Sequence, residues 1–172
     1  MRIVASSAGN PRQAAADVTA EATFLMRTTS DTDEHHPETT LVVFDHERQA
    51  TFLRDFREFV RLSWTLQEES VLAQGLENQL QLVLFHPYAT HNTYGEESEE
   101  SAADYTTRAP YPTVHLLREI DVARAVQSGY PHLEELPNRN KAKLIAEGLE
   151  ACQKRLKHCY THSTDDGSDR VK

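Results

Sequence analysis

The residues from Leu82 to Glu119 read LVLFHPYATHNTYGEESEESAADYTTRAPYPTVHLLRE and join two predicted strands through one long loop. An apolar run stands at each end, and a long polar and acidic excursion separates the two runs. A short apolar run bounded by polar residues is typical of a buried strand. The loop between the runs is longer than a compact domain needs for packing, so we expect it to carry a function.

The second apolar run, from Val114 to Ile120, fits two structures. Leu116, Leu117 and Ile120 have the spacing of a helix. The alternation of apolar residues around His115 and the two prolines before the run favour a strand. We predict a strand here, followed by a short helix that Asp121 caps.

Upstream of this stretch the pattern predicts strands separated by helices. Continuous apolar runs indicate strands covered on both faces, with helices on each side of a parallel sheet. The predicted strands are Arg2–Ala5, Leu41–Phe44 and Leu80–Phe85, and one helix runs from Pro11 to Arg27. The second predicted helix is one continuous amphipathic helix. Its stripe of core residues comprises Phe52, Phe56, Phe59, Val60 and Trp64.

The last predicted helix begins at Pro137 and should pack across the sheet. Its apolar stripe comprises Leu144 or Ile145, Leu149, Cys152 and Leu156. Cys152 and Cys159 lie about 10 Å apart along such a helix, too far for a disulfide, so we predict two reduced thiols. A zinc site that combines them with His158 and His162 matches no common spacing, and His35 and His36 are interpreted as solvated.

The order of these elements predicts one α/β domain from residue 1 to 160, with a flexible polar tail at 161–172. We expect a layered sandwich on a mixed four-stranded sheet, in which three strands run parallel and the fourth runs antiparallel. The order β-α-β-α-β-β-α resembles a thioredoxin-like layout, with an extra C-terminal helix.

Composition limits the function classes. The formal net charge of −9 disfavours nucleic acid and anionic membranes as partners. No apolar run is long enough to span a bilayer and the first residues do not resemble a signal peptide, so we predict a cytoplasmic protein. No motif for a cofactor or a metal is found.

Polar residues around the long loop form a candidate site. His86 follows the third strand, and the carboxyl ends of strands are where α/β sheets bind ligands. Arg108 and Arg118 are candidate contacts for a small anion, with His86 and His115 as proton-transfer candidates and Tyr105 beside them. We expect Arg108 to be exposed, so that its replacement by alanine would remove anion binding and leave stability within about 1 kcal/mol.

The motifs TTLVVFD, FHP, DYTTRAPYPTVHLLRE and LPNRN occur in order. In these motifs the chain, over residues 1–144, resembles an uncharacterised family, domain of unknown function family 1415. The resemblance implies no activity, and it adds Asn140 to the ligand-binding candidates. The positions that match the motifs are His86, Pro87, Tyr105, Arg108, Pro110, Pro112, His115, Arg118, Glu119, Pro137 and Asn140.

The resemblance also implies an upstream helix that ends in an Asn-Leu-Cys-Pro-like segment, and this sequence starts after it. We therefore expect apolar surface that favours a homodimer. Two functions stay open: a small enzyme or binding protein for an anionic metabolite, and a non-catalytic interaction or oligomerisation module. A bound anion between His86 and Arg108 would favour the first.

Overall fold

The computed structural model describes residues 1–27, 39–44, 50–68, 75–76, 78–90, 99–128 and 135–161. Contacts group the chain into two compact units. Unit 1 comprises Met1–Phe85 and Tyr111–Pro131, and unit 2 comprises His86–Pro110 and His132–Lys172. The single domain over residues 1–160 stays a prediction, and the polar tail from residue 162 lies outside the described residues.

Unit 1 is built on a mixed four-stranded sheet, as the sequence predicts. Its strands are β1 (Arg2–Ser6), β2 (Thr39–Phe44), β3 (Leu80–Phe85) and β4 (Thr113–Arg118). In the strand order β1-β2-β4-β3, β1 pairs parallel with β2, and β4 pairs antiparallel with β2 and with β3. The first three strands therefore share one direction and β4 opposes them, which confirms both the mixed sheet and the strand that begins near Val114.

One face of the sheet carries the core. Val42 pairs with Val114 and Thr40 with Leu116, and all four side chains are buried. The alternate residues of the same strands, such as His115, are partly exposed. The alternate side chains of β2 and β4 are thus mostly less buried than the core-facing ones, and coverage of both faces of the sheet by helices stays a prediction.

Helices cover the core face of unit 1. The first, α1, contacts β2 and β4 and matches its predicted bounds. The predicted single aromatic helix is in fact two helices, because Asp55 adopts an extended conformation (φ −96°, ψ 119°) between them and accepts hydrogen bonds from the backbone N–H groups of Arg57 and Glu58. The helices of unit 1 are α1 (Pro11–Arg27), α2 (Thr51–Arg54), α3 (Phe56–Thr65) and α4 (Glu119–Gln127).

The buried stripe of α3 differs from the predicted one. Phe59, Leu62 and Leu66 are buried at helical spacing, whereas Trp64 is 54% exposed. The assignment of Trp64 to the core is therefore wrong, since it lies beside this stripe and not on it. Phe59 packs edge-to-face on Phe44 of β2, with ring centroids 6.0 Å apart. Both phenylalanines are fully buried in the core of unit 1.

In its described part, unit 2 contains a 3-10 helix and two α-helices. Their bounds are Ala102–Thr106 for the 3-10 helix, Leu136–Glu147 for α5 and Leu149–Thr161 for α6. The predicted single last helix is wrong, because Gly148 adopts φ +90° and ends α5. Such a backbone conformation suits glycine, which has no Cβ. Helices α5 and α6 contact each other, and both contact the 3-10 helix.

Candidate functional site

A capping box fixes the start of the 3-10 helix in unit 2. The Ser101 hydroxyl accepts from the Ala103 N–H at 3.2 Å, and the Asp104 carboxylate accepts from the Ser101 N–H at 2.9 Å. Asp104 is buried. Because these bonds fix the backbone, Glu100 just before the box and Tyr105 just after it have defined positions.

Glu100 is the centre of a polar network. One carboxylate oxygen accepts from the Tyr105 hydroxyl at 2.8 Å and also from the Arg108 guanidinium. The other oxygen accepts from the Gln153 side-chain amide on α6 at 2.7 Å. Arg108 also donates to the Tyr105 hydroxyl at 3.2 Å, and its guanidinium lies 4.7 Å from the centre of the Tyr105 ring. The network therefore ties the 3-10 helix to α6.

The protonation states of this network follow from its contacts. Burial raises the pKa of Glu100, but hydrogen bonds from Tyr105 and Gln153 and the nearby Arg108 outweigh it, so the pKa lies below its ordinary value. Burial and the hydrogen bond to Glu100 raise the pKa of Tyr105 to about 12. Tyr105 is therefore a neutral donor near pH 7 and not a proton acceptor.

Arg108 is enclosed by its own protein. Its side chain is 10% exposed. Besides its bonds to Glu100 and Tyr105, its Nε donates to the Ala89 carbonyl at 3.1 Å. The expectation of an exposed arginine is therefore wrong, because the guanidinium lies on the ring of Tyr105 and pairs with the carboxylate of Glu100, which belongs to the acidic part of the long loop.

His86 is fully buried in the turn that opens unit 2. Its Nδ1 accepts from the Tyr88 N–H at 3.1 Å, and its backbone N–H donates to the Thr107 carbonyl at 3.1 Å. Because Nδ1 accepts, the neutral ring carries its proton on Nε2. The His86 carbonyl accepts from the Ala89 N–H, and the Ala89 carbonyl accepts from Arg108. His86 and Arg108 thus stabilise the same turn.

His115 lies on β4, on the partly exposed face of the sheet in unit 1. Its Nε2 is joined by a hydrogen bond to the Thr39 hydroxyl on β2, and its ring lies 6.3 Å from that of Phe85. Burial lowers the pKa of His115. The imidazole is consequently neutral near pH 7.

This lowered pKa predicts a pH dependence of stability. The unfolded chain protonates His115 near the ordinary value of 6.5, whereas the folded protein resists protonation until a lower pH. The stability that neutral His115 contributes is complete above pH 6.5 and is lost as the pH falls toward the folded pKa. Urea unfolding at about pH 7.5 and about pH 5.5 should show a smaller loss for His115→Gln than for the wild type.

His158→Gln provides the matched control, since His158 is an exposed histidine on α6. We expect this variant to lose as much stability as the wild type between the two pH values. Equal losses in the wild type and in His115→Gln would contradict the assignment of the pH effect to His115.

The remaining predicted site residues differ in their surroundings. Arg118 is buried at the end of β4, and its Nε donates to the Asp121 carboxylate at 2.5 Å. Asp121 lies in the first turn of α4, whose N-cap is Arg118, so the prediction that Asp121 caps this helix is wrong. Asn140 is exposed on α5.

Of the six predicted site residues, the structure brings Tyr105 and Arg108 into contact and joins His86 to Arg108 through Ala89. His115 and Arg118 belong to unit 1. The convergence of all six in one site stays a prediction.

A cavity of about 150 Å³ lies within unit 2. Its volume corresponds to about five water molecules. Two arginines, two cysteines and a tyrosine line it together with apolar residues. The lining residues are Tyr105, Arg108, Pro110, Leu144, Cys152, Arg155, Leu156 and Cys159.

Helix α6 contributes half of this lining. Cys152, Arg155, Leu156 and Cys159 are spaced at i, i+3, i+4 and i+7, which places them on one helix face. Both cysteines carry free thiols, as predicted; Cys152 is buried and Cys159 is exposed. Arg155 is 60% exposed and donates to the Glu147 carboxylate at 2.5 Å. This bond raises the pKa of Arg155 and lowers that of Glu147.

Glu100, Gln153 and Arg155 are absent from the candidates that the sequence suggested. A signal for Glu100 was available, since Ser101 and Asp104 have the spacing of a capping box and so predict a fixed backbone next to it. Arg155 could have been found from its place between two cysteines on one helix face. Gln153 gives no signal in the sequence.

In the described ranges, no three His, Cys, Asp or Glu side chains group closely enough to hold a metal ion. His35, His36 and His162 lie outside those ranges. No helix that the structure describes is both long and apolar enough to cross a membrane.

Comparison with known proteins gives one match. No curated protein and no solved structure matches the chain, so the thioredoxin-like layout stays a prediction. The sequence model of the family described as "Protein of unknown function (DUF1415)" matches residues 1–154, which is most of the chain. The protein therefore belongs to the DUF1415 family.

Proposed function

We propose that the protein binds a small anionic ligand in the cavity of unit 2. The observation that supports the proposal most strongly is the lining of this cavity, which includes two arginines, Arg108 and Arg155, among apolar residues. Both arginines pair with carboxylates, Arg108 with Glu100 and Arg155 with Glu147, and the pocket offers a ligand the guanidinium of Arg155, which is 60% exposed. Such a pocket attracts carboxylates and phosphates.

The two arginines have different roles in this proposal. Arg108 donates to Glu100, Tyr105 and Ala89, so it shapes the wall of the cavity. Arg155 is more exposed, and its ion pair with Glu147 lies at the surface. Surface ion pairs contribute little free energy, so an incoming anion can compete for the Arg155 guanidinium. Arg155 is the principal ligand contact.

The size and walls of the cavity limit the ligand. A volume of about 150 Å³ fits a small metabolite and is too small to enclose a nucleotide. Leu144, Leu156 and Pro110 supply apolar surface between the charged groups. A short dicarboxylate combines terminal negative charges with a methylene chain, so succinate is a suitable probe.

Binding, and not a reaction, is what this geometry supports. Tyr105 donates its proton to Glu100, and the Nδ1 of His86 accepts from a backbone N–H in its own turn. Proton transfer by His86 or His115 stays a prediction from the sequence, as do self-association and a cytoplasmic location. The free thiols of Cys152 and Cys159 agree with a reducing compartment.

Calorimetric titration with succinate tests the proposal. Arg155→Ala should weaken succinate binding about tenfold or more, because it removes a charged hydrogen-bond donor from the ligand. Lys154→Ala is the matched control, since Lys154 is the neighbouring exposed cation on α6 and does not line the cavity. We expect this control to bind succinate within about twofold of the wild type.

Equal losses in the two variants would indicate attraction by the charge of α6 as a whole, and would contradict a site in the cavity. The absence of binding of both succinate and inorganic phosphate to the wild type would also overturn the proposal.

A further inference from the structure

The cavity of unit 2 contains a nucleophile that anion binding does not use. Cys159 is exposed, and its Sγ lies 3.5 Å from the Arg155 carbonyl. Cys152 lines the same cavity but is buried, and its Sγ lies 3.9 Å from the Leu144 carbonyl. One accessible thiol and the arginine proposed to hold an anion therefore lie on the same wall of one cavity.

We propose that Cys159 forms a mixed disulfide with a small disulfide that carries a carboxylate. The inference rests on the proposed anion site, since Arg155 would hold the carboxylate while the sulfur–sulfur bond reaches Cys159. It extends that function by naming a ligand class that can react with the protein.

The exchange is balanced without a further oxidant. The Cys159 thiolate attacks one sulfur of the disulfide, a new sulfur–sulfur bond forms, and the original one breaks. The departing thiolate takes up the proton that Cys159 gave up. The protein thiol is oxidised to the mixed disulfide, and one half of the small disulfide is reduced to a thiol.

The product stays a mixed disulfide. Cys152 is seven residues from Cys159 in α6, about 10 Å along the helix, and this separation exceeds the reach of a disulfide. Cys152 therefore cannot displace the small thiol from Cys159 without unwinding α6. A separate thiol reductant is required to reverse the modification.

Two small disulfides with the same ethylene spacers and opposite charge provide the test. Dithiodipropionate carries a carboxylate at each end, and cystamine carries an ammonium at each end. Intact-mass spectrometry should show that the wild type acquires the dithiodipropionate adduct about fivefold faster than the cystamine adduct. Arg155→Ala should remove most of this preference, and the control Lys154→Ala should retain it.

Cysteine variants identify the reacting thiol. Cys159→Ser should form no adduct, whereas Cys152→Ala should react as the wild type does. Equal rates for the two disulfides in the wild type, or an adduct that persists in Cys159→Ser, would overturn the inference.

The failure of this inference is distinguishable from the failure of the proposed function. If succinate binds the wild type and loses affinity in Arg155→Ala while the two disulfides react equally fast, anion binding stands and thiol exchange guided by Arg155 is wrong. If succinate and phosphate do not bind and the disulfides react equally fast, both are wrong.

Discussion

Phe59→Ala is expected to lower the free energy of unfolding by about 3–5 kcal/mol, the range for a phenylalanine removed from a core. Phe59 is fully buried on α3, and it packs edge-to-face on Phe44 of β2 at 6.0 Å. The substitution leaves a cavity between the helix and the sheet and removes the aromatic pair. Equilibrium unfolding in urea measures the loss.

Trp64→Ala is the control on the same helix. Trp64 is the larger side chain, but it is 54% exposed, so its replacement should cost less than about 1 kcal/mol. The sequence pattern alone places Phe59 and Trp64 in one buried stripe. It therefore predicts similar losses in the free energy of unfolding for the two variants. A Trp64→Ala cost equal to that of Phe59→Ala would therefore contradict the buried face of α3 described above.

Arg108→Ala should also be strongly destabilising, by about 2–4 kcal/mol. The substitution removes donors from the Ala89 carbonyl and from the Tyr105 hydroxyl, and it leaves the Glu100 carboxylate without its cation. Because Glu100 is partly exposed, water replaces some of that loss, so the lower part of the range is expected.

Two further variants isolate the role of Arg108. Arg139→Ala removes one positive charge from an exposed position on α5, and its effect on stability should be below about 0.5 kcal/mol. Glu100→Gln combined with Arg108→Ala should cost less than the sum of the two single changes, because the neutral amide does not need a cation. A cost for Arg108→Ala as small as that of Arg139→Ala would restore the earlier interpretation of Arg108 as an exposed ligand contact.

Much of the fold could be predicted because its elements have strong local signals. Pro11–Arg27 has both helical periodicity and a proline at its first position, and the short apolar runs form strands as predicted. The breaks at Asp55 and Gly148 were missed because apolar periodicity continues across them. Asp55 with Glu58 has the spacing of a helix N-terminus, and this spacing would have located the first break.

The candidate site was predictable only in part. The segment that precedes Pro110 and Pro112 predicts a site at Tyr105 and Arg108, and these two residues are in contact. The partners that determine their chemistry, Glu100 and Gln153, are far apart in sequence and meet only because the 3-10 helix packs on α6. No periodic pattern encodes such a contact, so the sequence alone could not distinguish an exposed arginine from one paired inside the protein.

Binding of an anion in the cavity of unit 2 is tested most directly by a ¹H–¹⁵N NMR titration of the protein with succinate. We expect saturable shifts of the backbone amides of residues that line the cavity, among them Tyr105, Cys152 and Arg155, and their loss in Arg155→Ala. Saturable shifts confined to the sheet around His115, or none at all, would contradict anion binding in this cavity.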